Sequence, residues 1–260
     1  PITGFFTVSD KDIGNNLTAS AGAAVVKLDG TTITTGYPAA LTASGVLTLG
    51  TAVSNGGNAS ISYTYNPGAA NLDYLAAGQT LTITYPVTVS DGLASTTTQL
   101  LTITITGTND SPVISGQQDG TVVEAGNEDD GTVVAGVVTA TGQVQASDVD
   151  TGAVLTYTGN ATSAYGSFVV DPVTGVWTFS LDNALADSLA EGTVLTETYT
   201  VTVTDEFGAT TSQDVTITIT GTNDSPTIVS GPQSGAVVEA GNEDNGAVVA
   251  GVVTATGQVQ

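Results

Sequence analysis

The chain has 260 residues, 40% of them hydrophobic, which is enough to build a core in each of two ordinary domains. Its net charge is −23 and its only basic residues are two lysines, so neither nucleic acid nor an anionic membrane surface is expected as a partner. Because cysteine and histidine are absent, disulfides, soft-metal sites and histidine-based catalysis are excluded, and carboxylate oxygen is the main chemical group left.

Period-two alternation of Thr with aliphatic or aromatic residues predicts β-strands along most of the chain. In the first part, VVKLDGTTIT predicts a hairpin that turns at Asp29-Gly30. The clearest predicted strands are residues 81–90, 99–107, 176–181, 194–204 and 213–221, and only residues 184–189 indicate a helical turn. Sheets that are apolar on one face and polar on the other pack in pairs, so the predicted fold class is all-β, with tandem antiparallel β-sandwich repeats.

Internal repeats divide the chain. Residues 122–145 recur as 237–260 with two differences, and TITGTNDSP occurs twice, with Gly107 and Gly221 lying 114 residues apart. Near the start the offset changes to 138, so the first repeat carries 24 extra residues between about 20 and 49, which we expect to be a surface decoration or a ligand-binding loop. The predicted domains are 1–108, a repeat without its opening strands; 109–222, a complete repeat; and 223–260, the opening strands of a third.

Residues 223–260 are too few to form a core of their own. We therefore expect residues 237–260 to pair as strands with a neighbouring unit. That unit is either the next repeat of a longer chain or a separate subunit in a filament.

Acidic residues recur at the predicted strand ends. Asp10 and Asp12 stand two residues apart, as do Asp148 and Asp150. Two carboxylates about 4 Å apart repel by about 1 kcal/mol in water and by more at lower dielectric, so such a pair favours binding of a cation. With oxygen as the only ligand type, Ca²⁺ is expected rather than zinc, copper or magnesium. The alternative is that Asp-x-Asp and Asn-Asp are solvated turn formers; their recurrence beside the linker favours calcium.

Four segments carry a family resemblance: GVWTFSLDN at 175–183, LAEG at 189–192, VTVTD at 201–205 and GTNDSP at 221–226. They resemble the VCBS repeat, and the resemblance covers both repeats and the partial third. It implies the extender region of a giant bacterial surface adhesin of the RTX, type I secreted class.

The acidic positions are also similar to those of cadherin repeats, where Glu in the first strand, an Asp-x-Asp loop, a later Asp and an Asn-Asp-x-Pro linker hold calcium between domains. The stretch Leu181-Asp182-Asn183 stands near the cadherin Leu-Asp-Arg-Glu position but lacks its second carboxylate. Carried over to both repeats, the resemblance implies these calcium ligands: Asp10, Asp12, Asp91, Asn109, Asp110, Glu124, Asp148, Asp150, Asp182, Asp205, Asn223 and Asp224.

These observations predict a calcium-stiffened stalk at the bacterial cell surface, extracellular, that spaces a distal binding head for cell adhesion or biofilm formation. Its expected partners are neighbouring repeats of the same protein. Catalysis is not expected, because a glycosidase would need a sugar-binding platform and Trp177, the single tryptophan, is expected in the core. A self-assembling filament subunit and a carbohydrate- or protein-binding module are the alternatives.

Overall fold

The computed structural model describes residues 1–116, 119–127, 130–226, 234–244, 246–252 and 254–256. The fold is nearly all-β, as predicted. The first part of the chain contains a 3-10 helix at Ala39–Leu41 and the strands β1 (Ile2–Ser9), β2 (Asn16–Ala21), β3 (Val25–Leu28), β4 (Thr31–Ile33), β5 (Leu47–Leu49), β6 (Thr51–Val53), β7 (Asn58–Tyr65), β8 (Thr80–Ser90) and β9 (Gln99–Thr106).

The second part contains one short helix, α1 (Asn183–Ala186), and the strands β10 (Val113–Ser115), β11 (Gly120–Val123), β12 (Gly126–Asn127), β13 (Val133–Val134), β14 (Thr139–Gln143), β15 (Gln145–Ser147), β16 (Thr156–Thr158), β17 (Ala161–Thr162), β18 (Gly166–Val170), β19 (Val176–Leu181), β20 (Val194–Thr204) and β21 (Thr210–Thr220). Two further strands, β22 (Gly241–Asn242) and β23 (Val248–Val249), form what we call the tail hairpin.

The first sandwich packs the sheet β1-β7-β5 against a six-stranded sheet. In the larger sheet, β3 and β2 pair antiparallel with successive halves of β8, and β9 pairs with β8 from Thr80↔Thr106 to Val87↔Gln99. Alternate residues of β8 point inward, so that Leu81, Ile83 and Tyr85 are buried while the threonines between them are half-buried. This alternation is the pattern that predicted the strand.

The second sandwich packs the sheet β14-β19-β18-β17 against the sheet β11-β21-β20-β16. The hairpin of β20 and β21 is paired over eleven residues on each strand, and β11 joins the outer edge of β21 in parallel. In the core, the rings of Phe168 and Tyr199 stack with centroids 4.5 Å apart, and Trp177 is fully buried. The expectation that Trp177 is a core residue is confirmed.

A glycine facing an aromatic ring relates the two sandwiches. A Cβ on Gly142 would lie 2.4 Å from Trp177, and a Cβ on Gly4 would lie 2.4 Å from the Tyr63 hydroxyl. Tyr63 precedes Trp177 by 114 residues, and Gly4 precedes Gly142 by 138. The glycine–aromatic contact therefore occupies the same position in both sandwiches, although its two members follow different sequence offsets.

The extra residues of the first repeat include the hairpin of β3 and β4, which turns at Asp29-Gly30 as predicted. Both turn residues have positive φ, 47° and 81°. A two-residue turn of this type matches the right-handed twist of the strands it joins. The hairpin packs onto β8, where Val26 is buried.

The predicted helical turn at 184–189 is present as α1, which begins one residue earlier and ends three residues earlier; Asp182 Oδ1 caps its start by accepting from the Ala184 amide. Residues 237–260 were expected to pair as strands with a neighbouring unit. Of these residues, 245, 253 and 257–260 lie outside the described part of the chain.

Candidate metal centre

The linker between the two sandwiches is bound to two loops of the second. Asn109 and Asp110 follow β9, and the Asp110 amide donates to Asp150 Oδ2 at 2.9 Å. The Asn109 side-chain amide donates to Asp205 Oδ2 at 2.8 Å. These bonds bring together four of the predicted ligands: Asn109, Asp110, Asp150 and Asp205.

The Asp148–Asp150 loop follows β15 and leaves carboxylate oxygens without partners. Asp150 donates its amide to Asp148 Oδ1 at 2.9 Å, and its side chain is only 5% exposed. Asp148 Oδ2 and Asp150 Oδ1 are both buried and accept no hydrogen bond. A buried acceptor without a partner costs free energy, more so when it is charged. A cation at this position would remove that cost.

Asp205 lies in the turn between β20 and β21 and is 7% exposed. Its Oδ1 accepts from the amides of Phe207 and Ala209, each at 2.9 Å. The hydrogen bond from Asn109, together with these amide bonds, holds the pKa of Asp205 below its usual value against the effect of burial. Asp205 therefore stays ionised at neutral pH.

The first sandwich contributes to the same cluster. Burial raises the pKa of Asp110, and the negative charges of Asp150, Asp73 and Asp148 raise it further. Asp73 lies before β8, and the neighbouring Tyr74 carbonyl accepts from the Thr151 amide at 3.0 Å. The cluster therefore contains carboxylates from both sandwiches and from the linker.

Asp10, Asp12 and Asp91 form a matching set at the far end of the first sandwich. The Asp12 amide donates to Asp10 Oδ1 at 3.0 Å, and Asp10 Oδ2 is buried without a partner. The amides of Leu93 and Ala94 donate to Asp91 Oδ1, and these bonds lower the pKa of Asp91. Asp10 and Asp91 line one cavity of about 210 Å³.

A second group of three carboxylates lies at the far end of the second sandwich. Oxygens of Glu124, Asp187 and Asp224 all lie within 4.8 Å of one another. Glu124 is fully buried; its Oε2 accepts from the Thr222 amide at 2.9 Å, and its Oε1 has no partner. Burial, and then the charges of Asp224 and Asp187, raise the pKa of Glu124 above its usual value.

Two of the predicted ligands also make local hydrogen bonds. Asp182 caps α1, and it does not belong to the group of three found in the described residues. Asn223 uses its backbone carbonyl to accept from the Asn127 amide at 2.6 Å. These bonds shape the loops around the acidic groups.

Sequence reasoning did not select Asp73 and Asp187. The signal was available, because the two lie 114 residues apart, as do the selected linker residues Asp110 and Asp224. Asp187 lies one helical turn after Asn183, and its Oδ1 accepts from Asn183 Nδ2 at 3.2 Å.

Residues 109–221 match the model of the family described as bacterial cadherin-like domain. This segment, 113 of the 260 residues, is similar to a cadherin-like repeat. No curated protein matches the chain.

Three solved structures similar to this chain are mouse clustered PcdhgC3 EC1-3 at 16% identity and TM-score 0.36, human CDH23 EC21-23 at 15% and 0.38, and the human desmocollin-1 ectodomain at 18% and 0.35. They cover 82%, 79% and 75% of this chain, in that order. The chain spans 63%, 58% and 33% of their lengths, less than two thirds in each case. No helix in the described residues has the length and apolarity needed to span a bilayer.

Proposed function

We propose that the chain is a calcium-stiffened extender of a secreted bacterial surface adhesin, which holds a distal binding head away from the cell for adhesion or biofilm formation. One observation carries the proposal: carboxylates of two sandwiches and of their linker converge at a single junction. Asp73 comes from the first sandwich, Asp110 from the linker, and Asp148, Asp150 and Asp205 from the second.

We also propose that the repeats are bounded as 1–108, 109–222 and 223–260. The linker pair Asn109-Asp110 opens the second unit, and Asn223-Asp224 opens the third in the same way. Each pair follows the last strand of a sandwich, β9 or β21.

The residues at the junction fit calcium. The unpartnered oxygens of Asp148 and Asp150 are anionic acceptors that nothing in the described protein satisfies. All the side chains in the cluster offer oxygen, and calcium takes six to eight oxygen ligands in an adaptable geometry. We assign the ion to Asp73, Asn109, Asp110, Asp148, Asp150 and Asp205. When bound, it supplies positive charge that neutralises these carboxylates.

Hydrogen bonds within the protein fix the orientation of the linker relative to the second sandwich. Asn109 joins the linker to Asp205, and Asp110 joins it to Asp150, so the linker is fixed to two separate loops. The bond from Thr151 to the Tyr74 carbonyl adds a direct contact between the sandwiches. Mutual repulsion among the carboxylates works against this arrangement, which is why neutralising them limits bending.

Calorimetric titration of the 260-residue chain with CaCl₂, followed by thermal melting with and without chelator, tests the proposal. We expect saturable binding and a melting transition of the second sandwich that rises with calcium, since a ligand that binds only the folded state stabilises it. Magnesium at the same concentration should produce a smaller rise. Binding isotherms without heat, together with identical melting curves, would rule the proposal out.

A further inference from the structure

The first half of β20 has a free edge in the part of the chain that the structure describes. On one side, β20 pairs with β21 along its whole length. On the other side, β16 pairs only with Thr202, Val203 and Thr204, and no described strand pairs with residues 194–198. An unpaired edge of this kind is a template on which another chain can add a strand.

In the first sandwich, the extra residues of that repeat cover the same edge. β8 is the counterpart of β20, 114 residues earlier, and β3 pairs with it from Val25↔Thr84 to Leu28↔Leu81. Val26 of β3 is buried in the core. The sheet then ends on this side in β4, which is only three residues long, and short edge strands resist further pairing. The second sandwich has no such hairpin.

Where β3 covers β8, the two repeats differ at one residue. Residues 81–85 read LTITY and residues 195–199 read LTETY, so Ile83 corresponds to Glu197. Ile83 pairs with Val26 and is fully buried, whereas Glu197 is half-buried. An acidic residue therefore occupies, on the open edge, the position that holds a core residue on the covered one.

Glu197 lies on the core-facing side of β20. Tyr199 and Val201 are buried, and Glu197 continues the same alternation. Its cross-strand partner on β21 is Ile217, which is fully buried. A strand added over this edge would remove the carboxylate from water, which costs free energy unless the charge gains a partner. Inward-pointing charges on edge strands oppose pairing for this reason.

Glu197 also provides a hydrogen-bond acceptor that the extra residues provide in the first repeat. There, the Tyr85 hydroxyl donates to the Leu41 carbonyl, which belongs to those residues, at 3.3 Å. The counterpart of Tyr85 is Tyr199, and its hydroxyl donates to Glu197 Oε2. Burial, and then this bond, raise the pKa of Tyr199 to about 12. The carboxylate is thus held in place beside the open edge.

The other tyrosine that uses the Leu41 carbonyl changes in the second repeat. Tyr65 donates to that carbonyl at 2.9 Å, and its counterpart 114 residues later is Phe179, which has no hydroxyl. Both groups that depend on the extra residues in the first sandwich are therefore accommodated without them in the second. The second sandwich is adapted to an edge that stays open.

We propose that Glu197 keeps residues 194–198 from pairing with the same edge of a second copy of this chain, and so replaces the hairpin that covers this edge in the first repeat. A second copy is the partner to be excluded, because two identical edges can pair antiparallel about a two-fold axis. Such a pair would bring two Glu197 carboxylates into one sheet, where they lose water and repel each other.

Side-by-side packing of stalks would be the result of an unprotected edge. Every repeat without the hairpin would offer one such edge, so that weak pairing would add up along a chain of repeats. This consequence rests on the proposed stalk function, whereas protection of the edge itself does not require calcium.

Sedimentation at several protein concentrations tests the role of Glu197. Glu197→Ile gives the open edge the sequence of the covered one, and we expect its association constant to exceed that of the natural chain at least about tenfold. The matched control is Asp214→Ile, which makes the same change of charge and side chain on an exposed position of β21 and should leave association unchanged. An unchanged association constant for Glu197→Ile, or an equal rise in both variants, would overturn the proposal.

Glu197→Gln separates charge from fold. It keeps an acceptor for Tyr199 and removes only the charge, so its association constant should rise less than that of Glu197→Ile but above that of the natural chain. No rise in this variant would also count against the proposal. Calcium titration of both variants should match that of the natural chain, so that a failure of the calcium function and a failure of edge protection give different results.

Cross-linking locates the contact, since the natural chain has no cysteine. In the Glu197→Ile chain, Thr196→Cys should join two copies through a short bismaleimide, because Thr196 lies on the open edge. Thr82→Cys in the same chain is the matched control: Thr82 is the counterpart of Thr196, and β3 covers it at Lys27. Equal yields from the two positions, or no product from Thr196→Cys, would contradict pairing through the β20 edge.

Discussion

At the junction, Asp148 and Asp150 are held in an arrangement that favours a cation. Their unpartnered oxygens are buried, while their other oxygens accept amide bonds that fix the two carboxylates in place. Water would ordinarily solvate such groups, and here it is excluded from one oxygen of each. The same pattern at Asp10 shows that it is a property of the repeat.

We predict that Asp148→Ala weakens calcium binding at the junction roughly tenfold or more while leaving the second sandwich folded in excess calcium. The loss follows from the removal of one anionic ligand whose Oδ2 has no other partner. Calorimetric titration measures it. Asp214→Ala is the control, since Asp214 lies exposed on β21 and, among the described contacts, its carboxylate accepts only from Thr200. Equal affinities in the two variants would make Asp148 a simple turn residue.

Alkaline pH should destabilise the first sandwich through Tyr65. Burial raises the pKa of Tyr65 from 10.0 to about 12, and its hydroxyl donates to the Leu41 carbonyl at 2.9 Å. Because the folded pKa lies above the unfolded one, the stabilising contribution is complete below pH 10 and is lost as the pH rises towards 12. Melting temperatures measured across this window should fall less steeply for Tyr65→Phe. At neutral pH, the free energy of unfolding of this variant should be lower by about 1 kcal/mol, because the hydrogen bond to Leu41 is lost. Parallel curves for the two proteins would contradict this account.

The acidic positions could be predicted from sequence where spacing and recurrence coincide, as at Asp148 and Asp150. Asp73 and Asp187 could not be recognised from local motifs, because each is a single acid in an unremarkable loop. The fold brings Asp187 beside Glu124, which is 63 residues away in sequence. Asp182 was proposed as a ligand from its resemblance to the cadherin Leu-Asp-Arg-Glu position, and its ligand role stays a prediction; its Oδ1 caps α1.

At the scale of strands, long alternating segments were predicted well and short ones were not. β19 and β20 have the predicted bounds, because each alternates apolar and polar residues over six or more positions. β21 begins at Thr210, three residues earlier than predicted. The first three residues that pair with β20 are all polar, so they show no alternation in the sequence. β12 and β17 have two residues each and no alternation, so no periodicity could indicate them.

The close approach of β14 to Trp177 gives a prediction at this scale. Gly142→Ala should destabilise the second sandwich by about 1–3 kcal/mol, because the new methyl group overlaps the indole, which is fully buried. In combination with Trp177→Phe the added cost should shrink, since the smaller ring leaves room for the methyl group. A double-mutant cycle from chemical denaturation measures the coupling. Additive effects would mean that the strand shifts away from Trp177 instead.

For the whole molecule, the arrangement of acidic groups matters more than any one site. The clustered carboxylates lie at the far end of the first sandwich, between the two sandwiches and at the far end of the second. This placement suits a chain whose stiffness is controlled at its joints. The recurrence of acidic residues at predicted strand ends indicated this placement from sequence.

Small-angle scattering of the 260-residue chain tests the central claim most directly. Strands of about ten residues make each sandwich about 35–45 Å long, so two sandwiches joined rigidly end to end should measure on the order of 80 Å or more. We predict that maximum dimension in calcium, with a narrow distribution of distances, and a shorter, broader distribution after chelation. Scattering curves that superimpose with and without calcium would contradict the account.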